Sequence, residues 1–218
     1  MVNCIEAVND HVLADTLSET STTLRNTLRA QTNAVHQQLH LHPSFVALFN
    51  GSIDLHDYTM LMQRFHGYYT ALDNAIERAF DLPAAQFTYP TRGDLLARDL
   101  IDLGMSRAQV DANPQCTDLY DAVTPASLGG VLYVIEGATL GAAQIDRAAQ
   151  KTLSSDTTKG RSFWAWSRAH GKVRWAAINQ LLSELEASGQ PHTPMVKGAH
   201  DTFQALADWL APLESTQQ

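Results

Sequence analysis

Four polar residues in the first strongly periodic segment have the types and spacing to act on one ligand. The apolar residues of segment 24–40 recur every three or four positions, which predicts an amphipathic helix. Arg29 lies seven residues before His36, Thr32 lies four before it and His40 four after it, so we expect all four on one side of the helix. A neutral imidazole and a cation two turns apart could hold the centre and the acidic edge of a flat, anionic, metal-bearing ligand. Because isolated helical histidines and arginines are usually structural or solvated, the pattern alone leaves both interpretations open.

A second segment combines an apolar helix with glycines. Thr124-Pro125 is typical of a helix start, and we expect this helix to run to about Leu153. Its interior contains Gly129, Gly130, Gly137 and Gly141. Each interior glycine costs a helix roughly 0.5–1 kcal/mol relative to alanine. Gly130, Gly137 and Gly141 share one face of the helix. We therefore expect something flat to lie close to the backbone on that face. A neighbouring helix and a planar ligand both satisfy that requirement.

The elements that must position these two segments are also helical. Further amphipathic helices are predicted over 54–80, 91–103, 161–187 with a break at Gly171, and 193–210. We therefore predict an all-α protein with seven to nine helices. Residues 1–20 are expected to be an N-terminal extension, 21–213 a single helical domain and 214–218 a frayed tail.

Composition excludes several functional classes. The 218-residue chain carries a net charge of −8, which argues against a nucleic-acid binder. Only Cys4 and Cys116 are present, which favours a reducing compartment, and the absence of a secretory signal pattern or a long apolar run predicts a cytoplasmic protein without a membrane span. No phosphate loop, zinc motif or nucleophile motif occurs, and no bound flavin or nicotinamide is expected.

Taken together, LRAQTNAVHQQLH and LYVIEGATLGAAQI resemble the proximal and distal helices of heme oxygenases. The bacterial branch associated with bacteriophytochromes is the closer match, and the resemblance covers roughly residues 22–210. It implies a single-domain helical bundle with heme held between the first helix and the glycine-rich helix.

The resemblance also implies roles for individual residues. His36 matches the iron ligand, and Arg29 matches the cation that pairs with a heme propionate. Gly137 and Gly141 match the glycines whose backbone lies over the oxygen-binding side of the heme, which gives these costly residues a reason. The remaining expected contacts are Thr139 on the oxygen side, with Thr32, Tyr133, Ala138 and Arg161 around the ring and its propionates.

Two positions depart from the family pattern. Ala138 stands where the animal-type enzymes have an aspartate that organises distal water, although the bacterial branch commonly lacks this acid too. Thr139 and ordered water are then the candidates for proton supply. His40 stands where an acid often follows the proximal histidine, so it could orient His36 or compete with it for iron.

The activity implied by the resemblance is oxidative cleavage of heme to biliverdin, ferrous iron and carbon monoxide. The reaction needs O₂ and an external electron donor such as a ferredoxin or a reductase, and a bacteriophytochrome is a plausible recipient of the biliverdin. Two alternatives stay open: a non-catalytic heme carrier or sensor on the same fold, and a relative of the thiaminase-like helical enzymes.

Overall fold

The computed structural model describes residues 23–79 and 87–216, and within these ranges all regular structure is helical. The α-helices are α1 Leu24–His40, α2 Pro43–Asn50, α3 Leu55–Ala79, α4 Gly93–Asp102, α5 Arg107–Asp111, α6 Leu119–Ala122, α7 Leu128–Ala138, α8 Ala142–Leu153, α9 Ser162–Ala187 and α10 His192–Leu210. A 3-10 turn, Thr139–Gly141, joins α7 to α8, and a second one, Ala211–Thr216, follows α10. Counting α7, its 3-10 turn and α8 as one kinked helix gives nine helices in the described ranges, which confirms the predicted all-α bundle. The predicted extension 1–20 lies outside the described residues.

Helix α3 runs through the middle of the bundle and is buried along most of its length. Two of its tyrosines tie it to distant segments. The Tyr58 hydroxyl donates to the Gly160 carbonyl at 2.9 Å, and the Tyr68 hydroxyl donates to the Thr202 carbonyl at 2.8 Å. These bonds fix the start of α9 and the middle of α10 against the central helix.

Helix α10 packs between α1 and α7 and therefore sets the distance between them. A Cβ placed on Gly130 of α7 would lie 1.7 Å from the Met195 carbonyl oxygen, and one placed on Gly198 would lie 2.6 Å from the Ser127 Cβ. Only glycine allows the two backbones to approach this closely. The helix-packing explanation of the glycines is thus correct for the N-terminal half of the glycine-rich segment.

The predicted break at Gly171 is wrong, because α9 continues unbroken through it. A single interior glycine weakens a helix by about 1 kcal/mol and does not by itself end it. A Cβ at Gly171 would lie 2.9 Å from the Thr139 carbonyl oxygen. This glycine therefore lets α9 pack against the 3-10 turn between α7 and α8.

The start of the glycine-rich helix also differs from the prediction. Thr124 and Pro125 belong to a turn in which the Thr124 amide donates to Ser127 Oγ at 2.8 Å, and the helix begins at Leu128. The combined segment Leu128–Leu153 is, among the described residues, the one helix long and apolar enough to cross a membrane, and more than half of its apolar window is buried within the bundle.

Candidate functional site

One side of α1 carries a row of polar side chains that are exposed to solvent. Its apolar residues pack inward, mainly against α10, and leave Arg29, His36 and His40 exposed on the same side. Thr32, expected in this row, is instead buried and its hydroxyl donates to the Leu28 carbonyl at 2.8 Å. The structure therefore brings together three of the four polar residues and places the fourth in the core.

The two histidines of this row contact each other directly. Their Nε2 atoms lie 3.2 Å apart, their ring planes are perpendicular, and the ring of Phe203 from α10 packs 5.7 Å from the ring of His36. Although part of each ring reaches solvent, burial lowers the pKa of His36 and of His40, and the neighbouring His40 lowers that of His36 further. Both imidazoles are therefore neutral near pH 7, as a metal-binding imidazole must be.

A cluster of aromatic and basic side chains faces the N-terminal half of this row. The Trp175 ring of α9 lies 5.5 Å from the ring of Tyr133 and 5.8 Å from the Arg25 guanidinium, and it approaches within 3.3 Å of the position that a Cβ on Gly137 would take. Burial raises the pKa of Tyr133, whereas the positive charges of Arg25 and Arg29 oppose the rise. Side chains of α1, α7 and α9 therefore meet around Tyr133, and we call the region of α1 and α7 around Arg25, Arg29 and Tyr133 the α1–α7 cleft. The backbones of these two helices make little or no direct contact.

The glycine-rich segment bends where it continues past this cluster. At Thr139–Gly141 the helix tightens into a 3-10 turn that leaves Ala138, Leu140 and Gly141 exposed. A Cβ on Gly141 would meet no atom within 4 Å. Thr139 points the other way, because it is buried and its hydroxyl donates to the Glu136 carbonyl at 2.5 Å. Packing against another helix accounts for Gly130 but not for Gly141, which borders open space.

Comparisons with known proteins identify the family of the chain. A model of the family described as "Heme oxygenase" matches residues 22–211. The chain belongs to the heme oxygenase family. A search of curated proteins finds no significant match.

Solved structures of heme oxygenases share the fold. Heme oxygenase-1 from the cyanobacterium Synechocystis, solved in complex with heme, aligns with a TM-score of 0.72 and 19% identity over 89% of this chain and 93% of that chain. The heme oxygenase from Leptospira interrogans aligns with a TM-score of 0.68 and 18% identity over 87% and 99% of the two chains. A domain of unknown function from Shewanella denitrificans with a heme oxygenase-like fold aligns with a TM-score of 0.64 and 16% identity over 93% and 97%.

A buried carboxylate anchors the distal segment of this heme oxygenase-family chain. Glu136 is fully buried and forms ion pairs with Arg92 at 2.8 Å and with Arg174 at 2.6 Å. Two cations around one buried carboxylate offset part of the cost of removing it from water. Our sequence analysis missed this role, although a single acidic residue within the apolar run LYVIEGA was a visible signal.

A second buried carboxylate, that of Asp146, forms an ion pair with Arg161. Arg161 is 3% exposed and donates to Asp146 of α8, which also pairs with Arg168 at 2.9 Å. Its charge is therefore compensated within the protein, and we remove it, together with buried Thr32, from the set of expected heme contacts. Arg25 and Trp175, which the sequence analysis did not place at the site, take their positions at the α1–α7 cleft.

Proposed function

We propose that this protein is a heme oxygenase that binds heme in the α1–α7 cleft and cleaves it to biliverdin, ferrous iron and carbon monoxide. The observation that carries the proposal is the pairing of two features in one chain of this family. His36 presents an exposed, neutral imidazole on α1, and the glycine-rich segment leaves open space at Gly141. The structure of Synechocystis heme oxygenase-1 was solved in complex with heme, which supports heme as the molecule that this chain binds.

The described residues fit the chemical parts of a heme. The Nε2 atom of His36 is the candidate iron ligand once it leaves its contact with His40. Arg29 is exposed and carries no ion pair among the described residues, so it is the candidate partner of one propionate. Arg25, on the same side of α1 and 5.8 Å from Trp175, is a second candidate. Tyr133 and Trp175 supply an aromatic wall for the ring.

When heme is bound, its iron supplies the oxygen chemistry, and the electrons come from an external donor. The protein's own residues orient the substrate and restrict its surroundings. A neutral histidine ligand, unlike a thiolate, does not strongly promote O–O cleavage, which suits a reaction that oxidises the porphyrin itself. The bare backbone at Gly141 admits a close approach of the ring, whereas the Trp175 ring covers the backbone at Gly137. The ion pairs of Glu136 hold this backbone in place from behind.

The proton supply follows from the environment of Thr139. Its hydroxyl proton is held by the Glu136 carbonyl, so Thr139 can accept a hydrogen bond from water but does not donate its own proton in this arrangement. Ala138 is exposed and carries no acid. We therefore propose that water entering beside Ala138 and Gly141 delivers protons. A ferredoxin or reductase as electron donor, and a bacteriophytochrome as recipient of biliverdin, belong to the same proposal.

Heme loading followed by turnover tests the proposal. Protein loaded with heme under anaerobic conditions is given reductant and then air. We expect the Soret band to decay and a biliverdin spectrum to appear, with release of carbon monoxide. A Soret band that persists would overturn the enzymatic proposal and favour a heme carrier, the alternative that Ala138 supports. Failure to bind heme at all would reject both.

The ligand assignment is tested separately by titrating heme into His36→Ala and His40→Ala. We expect His36→Ala to lose the axial-imidazole spectrum and His40→Ala to retain it. The opposite result would assign the iron to His40. Exogenous imidazole should restore the spectrum of His36→Ala. His36 is exposed, so imidazole from solution can reach the space that the deleted side chain leaves.

A further inference from the structure

Helix α1 carries two exposed imidazoles whose nitrogen atoms converge. His36 and His40 are one helical turn apart, their ring centroids are separated by 4.5 Å, and their Nε2 atoms lie 3.2 Å from each other. We propose that these two nitrogens form a chelating site for a divalent transition-metal ion, such as Zn²⁺, in the heme-free protein. This site requires no heme chemistry and goes beyond the proposed function.

The distance between the two nitrogens matches the bite of a tetrahedral metal ion. With Zn–N bonds of about 2.0–2.1 Å, the 3.2 Å separation gives an N–Zn–N angle of about 100°. The tetrahedral value is about 109°. The nitrogens therefore need not move apart to admit the ion. Each ring has only to tilt its lone pair toward the shared apex, by rotation about χ2, which is a soft torsion for histidine.

The protonation states also permit the site. In the present contact one Nε2 must carry hydrogen and the other must accept it. Metal binding needs both rings in the tautomer with hydrogen on Nδ1, so one ring shifts its proton from Nε2 to Nδ1 and no net proton is released. Because both residues are exposed, water can accept from the Nδ1–H groups.

The chemistry of the ligands indicates which ions would bind. Imidazole nitrogen suits Zn²⁺, Cu²⁺ and Ni²⁺, whereas Mg²⁺ and Ca²⁺ prefer oxygen ligands. Within the described ranges no group of three metal-ligating side chains occurs, so water must complete the coordination. An open, two-histidine site of this kind binds reversibly and does not stabilise the fold as a closed structural zinc site does.

Metal binding at this site would compete with heme. The ion would occupy the Nε2 atom of His36 that the heme iron requires, so the two ligands exclude each other. This consequence rests on the proposed function, whereas metal binding itself does not. The zinc site and the proposed function can therefore fail independently. Zinc binding without heme binding would support the His36–His40 site and reject the proposed function.

Calorimetric titration of ZnCl₂ into tag-free, heme-free protein tests the site. We expect one saturable site in the wild type and at least tenfold weaker binding in both His36→Ala and His40→Ala. Because a chelate needs both nitrogens, the double variant should bind no more weakly than either single variant. Either single variant binding zinc as the wild type does, or a wild type without saturable binding, would overturn the proposal.

Two controls separate this pair from the other histidines. His170→Ala removes an exposed histidine whose ring contacts the Trp166 carbonyl of its own helix, and it should leave zinc binding unchanged. Replacing His192 and His200 together tests the groove that they line between α10 and α1. Loss of the site in this double variant would assign the metal to the groove and overturn the proposal. Excess Zn²⁺ should also slow heme loading in the wild type but not in His40→Ala.

Discussion

Replacing single glycines of the distal segment should separate glycines needed for packing from those needed for the ligand. Gly141→Ala adds a methyl group where no atom lies within 4 Å, at a backbone φ of −78° that alanine adopts easily. Gly130→Ala places the same methyl group 1.7 Å from the Met195 carbonyl oxygen. The two substitutions are chemically identical and differ only in their surroundings.

The expected effects on stability have opposite signs. Alanine in place of an unstrained helical glycine stabilises by roughly 0.5–1 kcal/mol. In a protein of this size each kcal/mol changes the melting temperature by about 2–4 °C, so heme-free Gly141→Ala should melt slightly above the wild type. At Gly130 the clash involves backbone that cannot move aside, and overpacking of this kind costs about 3 kcal/mol. Allowing for helix propensity, Gly130→Ala should lose about 2 kcal/mol, or roughly 4–8 °C.

Gly141→Ala, which should stabilise the heme-free protein, should instead weaken the binding of heme. If the ring lies against Gly141, the new methyl group should weaken heme binding by about 1–3 kcal/mol, which corresponds to roughly 5- to 150-fold in the dissociation constant. Thermal unfolding followed by circular dichroism, and heme titration followed at the Soret band, measure the two effects. Unchanged heme affinity in Gly141→Ala would show that this face does not contact the ligand. A large loss of melting temperature in the same variant would show that the space is not open.

Three further predictions follow from the site. Arg29→Ala should weaken heme binding about tenfold and Arg29→Lys much less, because the lost interaction is a charge-assisted contact with a propionate; equal losses in both variants would contradict a mainly electrostatic contact. Glu136→Gln should lower the free energy of unfolding by about 3 kcal/mol in chemical denaturation, because it leaves buried Arg92 and half-buried Arg174 without their counter-charge; a wild-type value would refute this. Burial first, and then His40, lower the pKa of His36, so protons compete with heme iron less at pH 6.5 than they would for an ordinary histidine. Imidazole-ligated heme should therefore stay near its pH 7.5 level at pH 6.5 and fall at more acidic pH, and a midpoint at or above pH 6.5 in a spectroscopic titration would contradict the shift.

The local helices could be predicted from sequence because their signals are local. The Thr23 hydroxyl accepts from the Asn26 amide at the start of α1, as expected of an N-cap, and Gly51 ends α2 in the left-handed conformation. The helix predicted over 91–103 is α4, Gly93–Asp102, but the residue that caps its start was not predicted. Its first amides, those of Arg92 and Gly93, donate to Asp73 of α3 at 2.7 Å, so the cap comes from another helix. No pattern near residue 92 could reveal a partner nineteen positions away.

The family assignment depended on the order and spacing of two segments, which are properties of the sequence alone. His36 on an amphipathic helix and the glycines of the distal helix, about a hundred residues apart, were sufficient for it. Helical spacing also showed correctly that Arg29, His36 and His40 share a side of α1, since that relation depends only on the period of the helix.

Only the tertiary structure decided which neighbour each side chain meets. It buried Thr32, paired Arg161 with Asp146, and placed Arg25 beside Trp175. It also divided the glycines into those that admit another backbone, as at Gly130, and those that border open space, as at Gly141. The physical reason is that periodicity defines the faces of a helix, whereas burial and charge compensation depend on segments that are distant in sequence and become neighbours only when the bundle forms.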